Sequence, residues 1–428
     1  MESHLATAVH KITWRVVPLF LLCVMAAYLD RVNVGFAALE MNHDLGFSPR
    51  VYGMGAGIFF LGYVAAGIPS NLLLERMGAR LWIAGSMITW GLLAMAMALV
   101  RGETGFYLVR FLLGVAEAGF VPGFFLYTTH WFPRAQRGRV VGAFMAAIPF
   151  SAVLFSPVSG WILSLGQMYG LRSWQNLFLL EGLPSVILGL IVFASLTDRP
   201  EQAAWLSPAE QQALARQIEA DRPIPAHART PKVLTPIAVA LGFVFFGLSM
   251  SNYGILLWLP QIVKSFGLGD ATVGVIAALP FAAGASGALL WGWHSDRRRE
   301  RALHVATGAF LASLAFLVIL LSSTPLVMLV AISVAAAAFY GGGAVFWAWS
   351  GECLTARNAA GGIALANSIG NIGGFVGPYA IGYVKDVTGS YQLGMVVLCL
   401  SLAFSGCVAL GVRASQRRPV AAPVGLPS

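Results

Sequence analysis

Apolar segments of about twenty residues recur along the chain, separated by polar breaks. A segment of that length can cross the hydrocarbon core of a bilayer as an α-helix, so each one predicts a transmembrane helix. We place these segments at residues 16–38, 51–74, 81–100, 105–130, 138–164, 175–197, 234–262, 271–295, 302–322, 325–350, 358–384 and 390–412. The pattern therefore predicts an all-α polytopic membrane protein with twelve transmembrane helices.

One long polar stretch interrupts this pattern and divides the chain into two sets of six spans. It contains SPAEQQALARQIEA, in which Ser207 is the expected N-cap of a short amphipathic helix. We predict an N-terminal six-helix bundle at 1–197, a cytoplasmic linker without a binding role at 198–233, and a C-terminal six-helix bundle with a short cytoplasmic tail at 234–428.

Composition agrees with a membrane protein and argues against other classes. Hydrophobic residues make up 58% of the chain and charged residues 11%, whereas soluble domains carry roughly 25% charged residues. The net charge of +9 is dispersed over short loops and does not indicate nucleic-acid binding. The four cysteines form neither a CxxC motif nor a Cys/His cluster, so we predict no metal site, disulfide framework or cofactor.

The basic residues are distributed unequally between alternate loops. If the N-terminus is cytoplasmic, twenty of the 27 lie on the cytoplasmic side, and five lie outside: Arg50, Arg101, Arg172, Lys264 and Lys385. Because lysine and arginine accumulate in cytoplasmic loops, this asymmetry predicts that both termini are cytoplasmic.

Four ionisable residues fall inside predicted spans. Asp30 and Arg31 are adjacent in the first span, and Arg110 and Glu117 lie in the fourth. Charged groups at that depth cost several kcal/mol each and usually serve a function. Arg110 and Glu117 are seven residues apart, which is about two helical turns, so we predict that they share a face and pair. These groups favour a carrier of charged solutes.

Two loops repeat a charge pattern at equivalent places in the two halves. The loop after the second span carries Glu75, Arg76 and Arg80, and the loop after the eighth carries Asp296 and Arg297. Such recurrence is typical of a duplicated six-helix unit, so we predict two pseudo-symmetric bundles. We assign these five residues to a gating loop motif.

The loops and four further strings resemble the major facilitator superfamily, and more narrowly its anion:cation symporter family. The strings are YLDRVNVGFAAL, PSNLLLERMGAR, RFLLGVAEAGFVPG and GGIALANSIGNIGGFVGPYAIGYVKDVTGS. The resemblance implies the major facilitator fold and proton-coupled import of a small organic carboxylate, either a hydroxy or sugar acid such as tartrate or an aromatic acid. The expected setting is the bacterial cytoplasmic (inner) membrane, and the expected state is a monomer.

The same resemblance supports roles for the four intramembrane charges. Asp30 and Glu117 are the expected proton-coupling acids, and Arg31 and Arg110 the expected anchors for the substrate carboxylate, because arginine offers a planar two-pronged donor. A structural ion pair is the alternative for Asp30 and Arg31, and a structural role is the alternative for Glu117. A third acid, Glu181, is usually structural in the superfamily, although a functional role stays open.

Neutral side chains are expected to shape the substrate site. Tyr63 matches a family tyrosine, and a break is expected at Gly254. The full set of neutral candidates is Tyr63, Asn252, Tyr253, Trp347, Ser350, Asn367 and Asn371.

Other functions remain as alternatives at this point. Within transport, the alternative is a sodium-coupled or exchange carrier of organic anions. We do not expect an enzyme, because the sequence shows no Ser/His/Asp set and no HExxH motif. A substrate sensor of the same fold would be expected to carry a soluble output domain.

Overall fold

A computed structural model describes residues 2–221, 234–354 and 358–417 of the protein. The predictions made for 222–233, Arg357 and 418–428 lie outside these ranges. The described parts contain fourteen α-helices and, apart from one isolated bridge between Met168 and Leu171, no β-pairing. The predicted all-α fold is confirmed.

The helices follow the apolar segments closely. Their bounds are α1 Glu2–Leu45, α2 Pro49–Met77, α3 Ala79–Ala96, α4 Glu103–Glu117, α5 Phe120–Trp131, α6 Arg134–Ser164, α7 Ser173–Ser195, α8 Pro208–Ala220, α9 Pro236–Lys264, α10 Asp270–Arg298, α11 Arg301–Leu321, α12 Pro325–Cys353, α13 Ala359–Thr388 and α14 Tyr391–Arg417.

Within the described ranges, eleven helical segments are long and apolar enough to cross a membrane, with α4 and α5 forming one of them. The remaining predicted span, 358–384, is present as the thirty-residue helix α13. Asn367, Asn371 and many glycines lie in the middle of that helix and lower its mean hydropathy. The chain is an integral membrane protein.

The helices form two compact units that do not follow the midpoint of the chain. The first unit comprises Met1–Arg229, Tyr253–Ala282 and Pro378–Tyr391. The second comprises Thr230–Asn252, Ala283–Gly377 and Gln392–Ser428. Helices α9, α10 and α13 each contribute to both units. The domain limits predicted from the sequence, 1–197 and 234–428, divide the chain into two halves and do not correspond to these units. They stay a prediction.

Among the places where helices of the first unit meet backbone to backbone are the crossings of α2 with α13 and of α6 with α10. A Cβ atom added to any of four glycines would lie 2.4–2.6 Å from a backbone oxygen of the facing helix: Gly53 on α2, Gly382 on α13, Gly160 on α6 and Gly274 on α10. Real Cβ atoms do not approach so closely, so glycine is required for these crossings.

The amphipathic helix α8 is present and packs against the N-terminal part of α1. Ser207 caps it as predicted, in a capping box completed by Glu210. Lys11 of α1 contacts Glu210 at 2.8 Å, and the Arg15 guanidinium lies 5.1 Å from the centre of the Trp205 ring. The hydrogen bond from Lys11 and those from Ser207 lower the pKa of the Glu210 carboxyl.

We predict that Lys11→Gln loosens α8 while leaving its capping box intact. Amide hydrogen exchange of α8 in the purified protein should become faster, because the ion pair to α1 is lost. Arg199→Gln removes an exposed positive charge nearby and should leave that exchange unchanged. Since the pKa of Glu210 is lowered by folding, the stabilisation is present at neutral pH and is lost as pH falls through the folded-state value. Equal exchange in Lys11→Gln and the unmodified protein would contradict the role of this pair.

Candidate functional site

The fourth membrane segment is broken directly after Glu117. Helix α4 ends at that residue, α5 begins at Phe120, and Gly119 lies in the turn between them. Pro122 has no backbone N–H, and its ring crowds the carbonyl group four residues earlier, which accounts for the break. The predicted continuous span 105–130 is therefore two helices, and Glu117 lies at their junction.

Glu117 pairs with Arg31 of α1. The Arg31 Nη2 and Nε atoms lie 2.5 and 3.2 Å from the Glu117 Oε2 atom. The Glu117 side chain is 1% exposed and that of Arg31 is 15% exposed. The predicted ion pair between Arg110 and Glu117 is wrong in this structure, because Arg110 has other partners.

Arg110 is buried against the backbone of α2. Its Nε donates to the carbonyl oxygen of Gly55 at 3.3 Å and its Nη2 to that of Ala56 at 3.2 Å. The Phe59 ring centre is 5.1 Å from the Arg110 guanidinium carbon and 5.0 Å from that of Arg31. One aromatic ring thus contacts both intramembrane cations, an arrangement stabilised by cation–π attraction.

Two predicted tyrosines adjoin Arg31. Its Nη1 donates to the Tyr253 hydroxyl oxygen at 3.2 Å, and its guanidinium carbon lies 5.5 Å from the centre of the Tyr63 ring. The Tyr253 ring also packs on Phe60 with 4.2 Å between centres. The break expected at Gly254 is absent, because α9 continues through it to Lys264.

Asp30 has different partners from its neighbour Arg31. It is fully buried and accepts a short hydrogen bond from the Ser185 hydroxyl of α7. Its Oδ1 atom has no hydrogen-bond partner among the residues described. Asp30 and Arg31 are therefore not an isolated ion pair: Arg31 is paired across to α4, and Asp30 is held by α7.

The other predicted substrate residues belong to the second unit, where they are Asn252, Trp347, Ser350, Asn367 and Asn371. The Ser350 hydroxyl donates to the carbonyl oxygen of Phe346 at 2.8 Å. The Asn371 amide donates to the carbonyl oxygen of Asn367 at 2.9 Å. Trp347 is 38% exposed. Their role in binding stays a prediction.

The predicted loop motif of the first unit contacts the end of α7 and the residues after it. The Arg80 amide donates to the Asp198 carboxylate at 2.8 Å, and its Nε donates to the Phe193 carbonyl oxygen at 2.9 Å. Glu75 and Arg76 are exposed.

The corresponding motif of the second unit joins α10, α11 and α12. Arg301 contacts the Asp296 carboxylate at 3.1 Å and that of Glu352 at 2.5 Å. The Arg297 guanidinium lies 5.7 Å from the Trp293 ring centre. The second motif thus ties together the ends of three helices, whereas the contacts of the first join α3 to the end of α7.

Three residues that contact the predicted site or the predicted loop motif were not themselves predicted: Phe59, Ser185 and Asp198. Phe59 looks like one of many apolar ring residues in the sequence. Ser185 had a usable signal, since it lies one turn from Glu181 on the same helix. Asp198 is an acid at the end of a span, where charged residues are common.

A family profile described as Major Facilitator Superfamily matches residues 20–378. The chain belongs to the major facilitator superfamily. A predicted tartrate transporter of Agrobacterium vitis is 45% identical over 415 residues, covering 96% of each chain. A quinolone resistance transporter of Acinetobacter baumannii is 39% identical over 404 residues, covering 92% of each.

The fold of this major facilitator chain is also shared by solved structures. A bacterial homologue of the human lysosomal transporter Spinster, in an inward-facing and occupied conformation, matches with a TM-score of 0.79 at 16% identity. The match covers 95% of this chain and 98% of the other. The superfamily predicted from the loop motifs and the four strings is confirmed.

We predict that Gly114→Ala destabilises this major facilitator chain. The added Cβ would lie 1.9 Å from the Phe59 carbonyl oxygen, so α2 and α4 must separate, at a cost of about 1–3 kcal/mol. The melting temperature of the purified protein should fall. Gly67→Ala, on α2 with nothing within 4 Å of its added Cβ, is the matched control and should not lower it. An unchanged melting temperature for Gly114→Ala would contradict the close crossing.

Proposed function

We propose that this protein is a proton-coupled symporter that imports a small organic carboxylate, such as tartrate, by alternating access. We place it in the bacterial cytoplasmic membrane with both termini in the cytoplasm. The observation that carries the proposal is the buried Arg31–Glu117 pair, in which the cation keeps 15% exposure while the acid is nearly enclosed. The resemblance to a tartrate transporter supports the substrate class.

Arg31 is the first anchor for the substrate carboxylate. Its guanidinium is partly exposed, and the Tyr253 hydroxyl beside it can hydrogen-bond to an acid or a hydroxyl group. Arg110 is 1% exposed and already donates to two backbone oxygens. It therefore stabilises the site indirectly, through the Phe59 ring that also contacts Arg31. Arginine suits a carboxylate because its planar fork can donate two parallel hydrogen bonds.

Proton coupling follows from competition for Arg31. A substrate carboxylate that binds Arg31 weakens the pair with Glu117, which is then a buried acid without its cation. Taking up a proton removes that unpaired charge. When the substrate leaves, Arg31 pairs again with Glu117 and the proton is released. Binding of the anion and protonation of Glu117 are thereby linked.

The charges of the site favour protons over sodium. Two arginines and two carboxylates sum to zero when both Asp30 and Glu117 are ionised, and each proton bound makes the site more attractive to an anion. A sodium ion would have to bind beside two guanidinium groups, which repel it. Sodium coupling and anion exchange remain the competing mechanisms, and the measurements below separate them.

We predict that Glu117→Gln retains exchange but loses accumulation. The amide mimics the protonated acid, so reconstituted protein should still exchange labelled tartrate across vesicles at equal pH but should not accumulate it under a pH gradient. The unmodified protein should accumulate tartrate with a proton gradient and without sodium. Accumulation that requires a sodium gradient, or normal accumulation by Glu117→Gln, would refute the proposal. A quinolone, which also carries a carboxylate, should be included among the tested substrates.

We predict that Arg31→Lys weakens tartrate binding by about tenfold or more, since lysine keeps the charge but loses the fork. Binding is measured on purified protein by calorimetry. Arg101→Lys, at an exposed loop residue, is the matched control and should bind normally. Equal affinity in both variants would show that the carboxylate is held elsewhere.

A further inference from the structure

A row of polar side chains runs along the contact between α1 and α7, within the first unit. Asp30, Asn33 and Glu40 lie on one face of α1, because their spacing follows the helical period. Ser173, Glu181 and Ser185 lie on one broad face of α7 by the same argument. We call these six residues the polar seam. A polar contact between membrane helices is costly unless it has a use.

Two contacts fix how the helices align. At one end Ser173 donates to the Glu40 carboxylate. At the other end Ser185 donates to Asp30. Asn33 and Glu181 fall between these contacts, since each lies one turn from the Asp30–Ser185 contact, toward the end that carries Glu40 and Ser173. The seam therefore has a polar contact at each end, with Asn33 and Glu181 beside the inner contact and about two helical turns between them and the outer one.

Exposure decreases along the seam. Glu40 is partly exposed, whereas Glu181 is 2% exposed, Asn33 1% and Asp30 0%. The charged and polar groups thus lead from solvent into the interior of the bundle. A path for protons needs such a gradient, with its more exposed end at Glu40 and its fully buried end at Asp30.

The buried residues of the seam keep unused hydrogen-bonding atoms. Ser159 of α6 donates to Glu181 Oε1 at 2.6 Å. Glu181 Oε2, Asn33 Nδ2 and Asp30 Oδ1 have no hydrogen-bond partner in the described parts of the chain. These three atoms lie on facing helices within about two turns of one another, and buried water molecules bind to such otherwise unsatisfied polar groups.

Neither buried acid of the seam has a cation as direct partner. Within the described residues, the ion pairs include neither Asp30 nor Glu181. The charged groups that act on Asp30 are the acids Glu117 and Glu181. A structural ion pair therefore does not account for these two carboxyls, and buried acids inside membrane spans commonly belong to proton relays.

We propose that the polar seam is the route by which protons reach Asp30 from the predicted outer side, with Glu181 as the relay. A proton binds a Glu181 oxygen, and the proton passes through Ser185 or a bridging water to Asp30, so that Glu181 is ionised again as Asp30 becomes neutral. The route runs inside the first unit, separately from the Arg31 anchor. This inference rests on the proposed proton-coupled function.

The test compares reconstituted variants with tartrate as the probe and an internal pH dye. Glu181→Gln should slow tartrate-driven proton entry and accumulation by at least about tenfold, because the relay carboxyl is lost, while tartrate exchange at equal pH should be unchanged. Glu181→Asp should restore part of the rate. Ser159→Ala should shift the pH profile of uptake, because it removes a hydrogen bond to Glu181 and keeps the carboxyl. Ser151→Ala, a buried α6 serine bonded only within its own helix, should change nothing.

A measurement that needs no substrate separates a blocked proton route from a variant that merely folds poorly. Infrared spectra in heavy water follow deuterium exchange of the Asp30 carboxyl, identified by its loss in Asp30→Asn. This exchange should be markedly slower in Glu181→Gln than in Ser151→Ala. Equal exchange rates, or proton entry as fast in Glu181→Gln as in the unmodified protein, would overturn the proposed proton route. If the unmodified protein moves no protons with tartrate, the proposed function itself fails, which is a different outcome.

Discussion

The ion pair between Arg31 and Glu117 is the interaction on which the rest of the site depends. Two opposite charges deep in a membrane protein cost less when they meet, because either one alone would be an unpaired charge. Meeting requires that α1 and α4 present these side chains to each other. The helix break before Pro122 and the close glycine crossing of α2 with α4 both serve that placement. Phe59 then holds the second arginine beside the first.

Much of the fold could be predicted because bilayer thickness imposes a length on every span. The capped helix α8 was also predictable, since Ser207, Pro208 and Glu210 have local roles that do not depend on the rest of the chain. The break in the fourth span was not. Proline is an ambiguous signal in membrane helices: α2 and α6 continue through Pro69 and Pro149 without interruption.

The site could be predicted in its members but not in its pairing. Charged residues inside apolar spans are conspicuous, so Asp30, Arg31, Arg110 and Glu117 stand out in the sequence. Helical spacing suggested that Arg110 would pair with Glu117, yet spacing only says which side chains share a face. The actual partner of Glu117 comes from another helix, and Arg110 instead donates to the backbone carbonyl groups of Gly55 and Ala56. Which side chains pair depends on tertiary packing, and the local sequence pattern does not show that packing.

The glycine crossings of the first unit have a consequence for how the packing can change. Where side chains interlock, separating two helices forces many rotamers to rearrange. At Gly53 and Gly382, and at Gly160 and Gly274, the surfaces in contact are bare backbone. Two smooth surfaces part or slide with little reorganisation, whereas a single methyl group on either would penalise this packing alone and leave any more open arrangement untouched. The absence of side chains at these four positions thus makes the contact close and leaves no interlocked side chains to rearrange if the helices part.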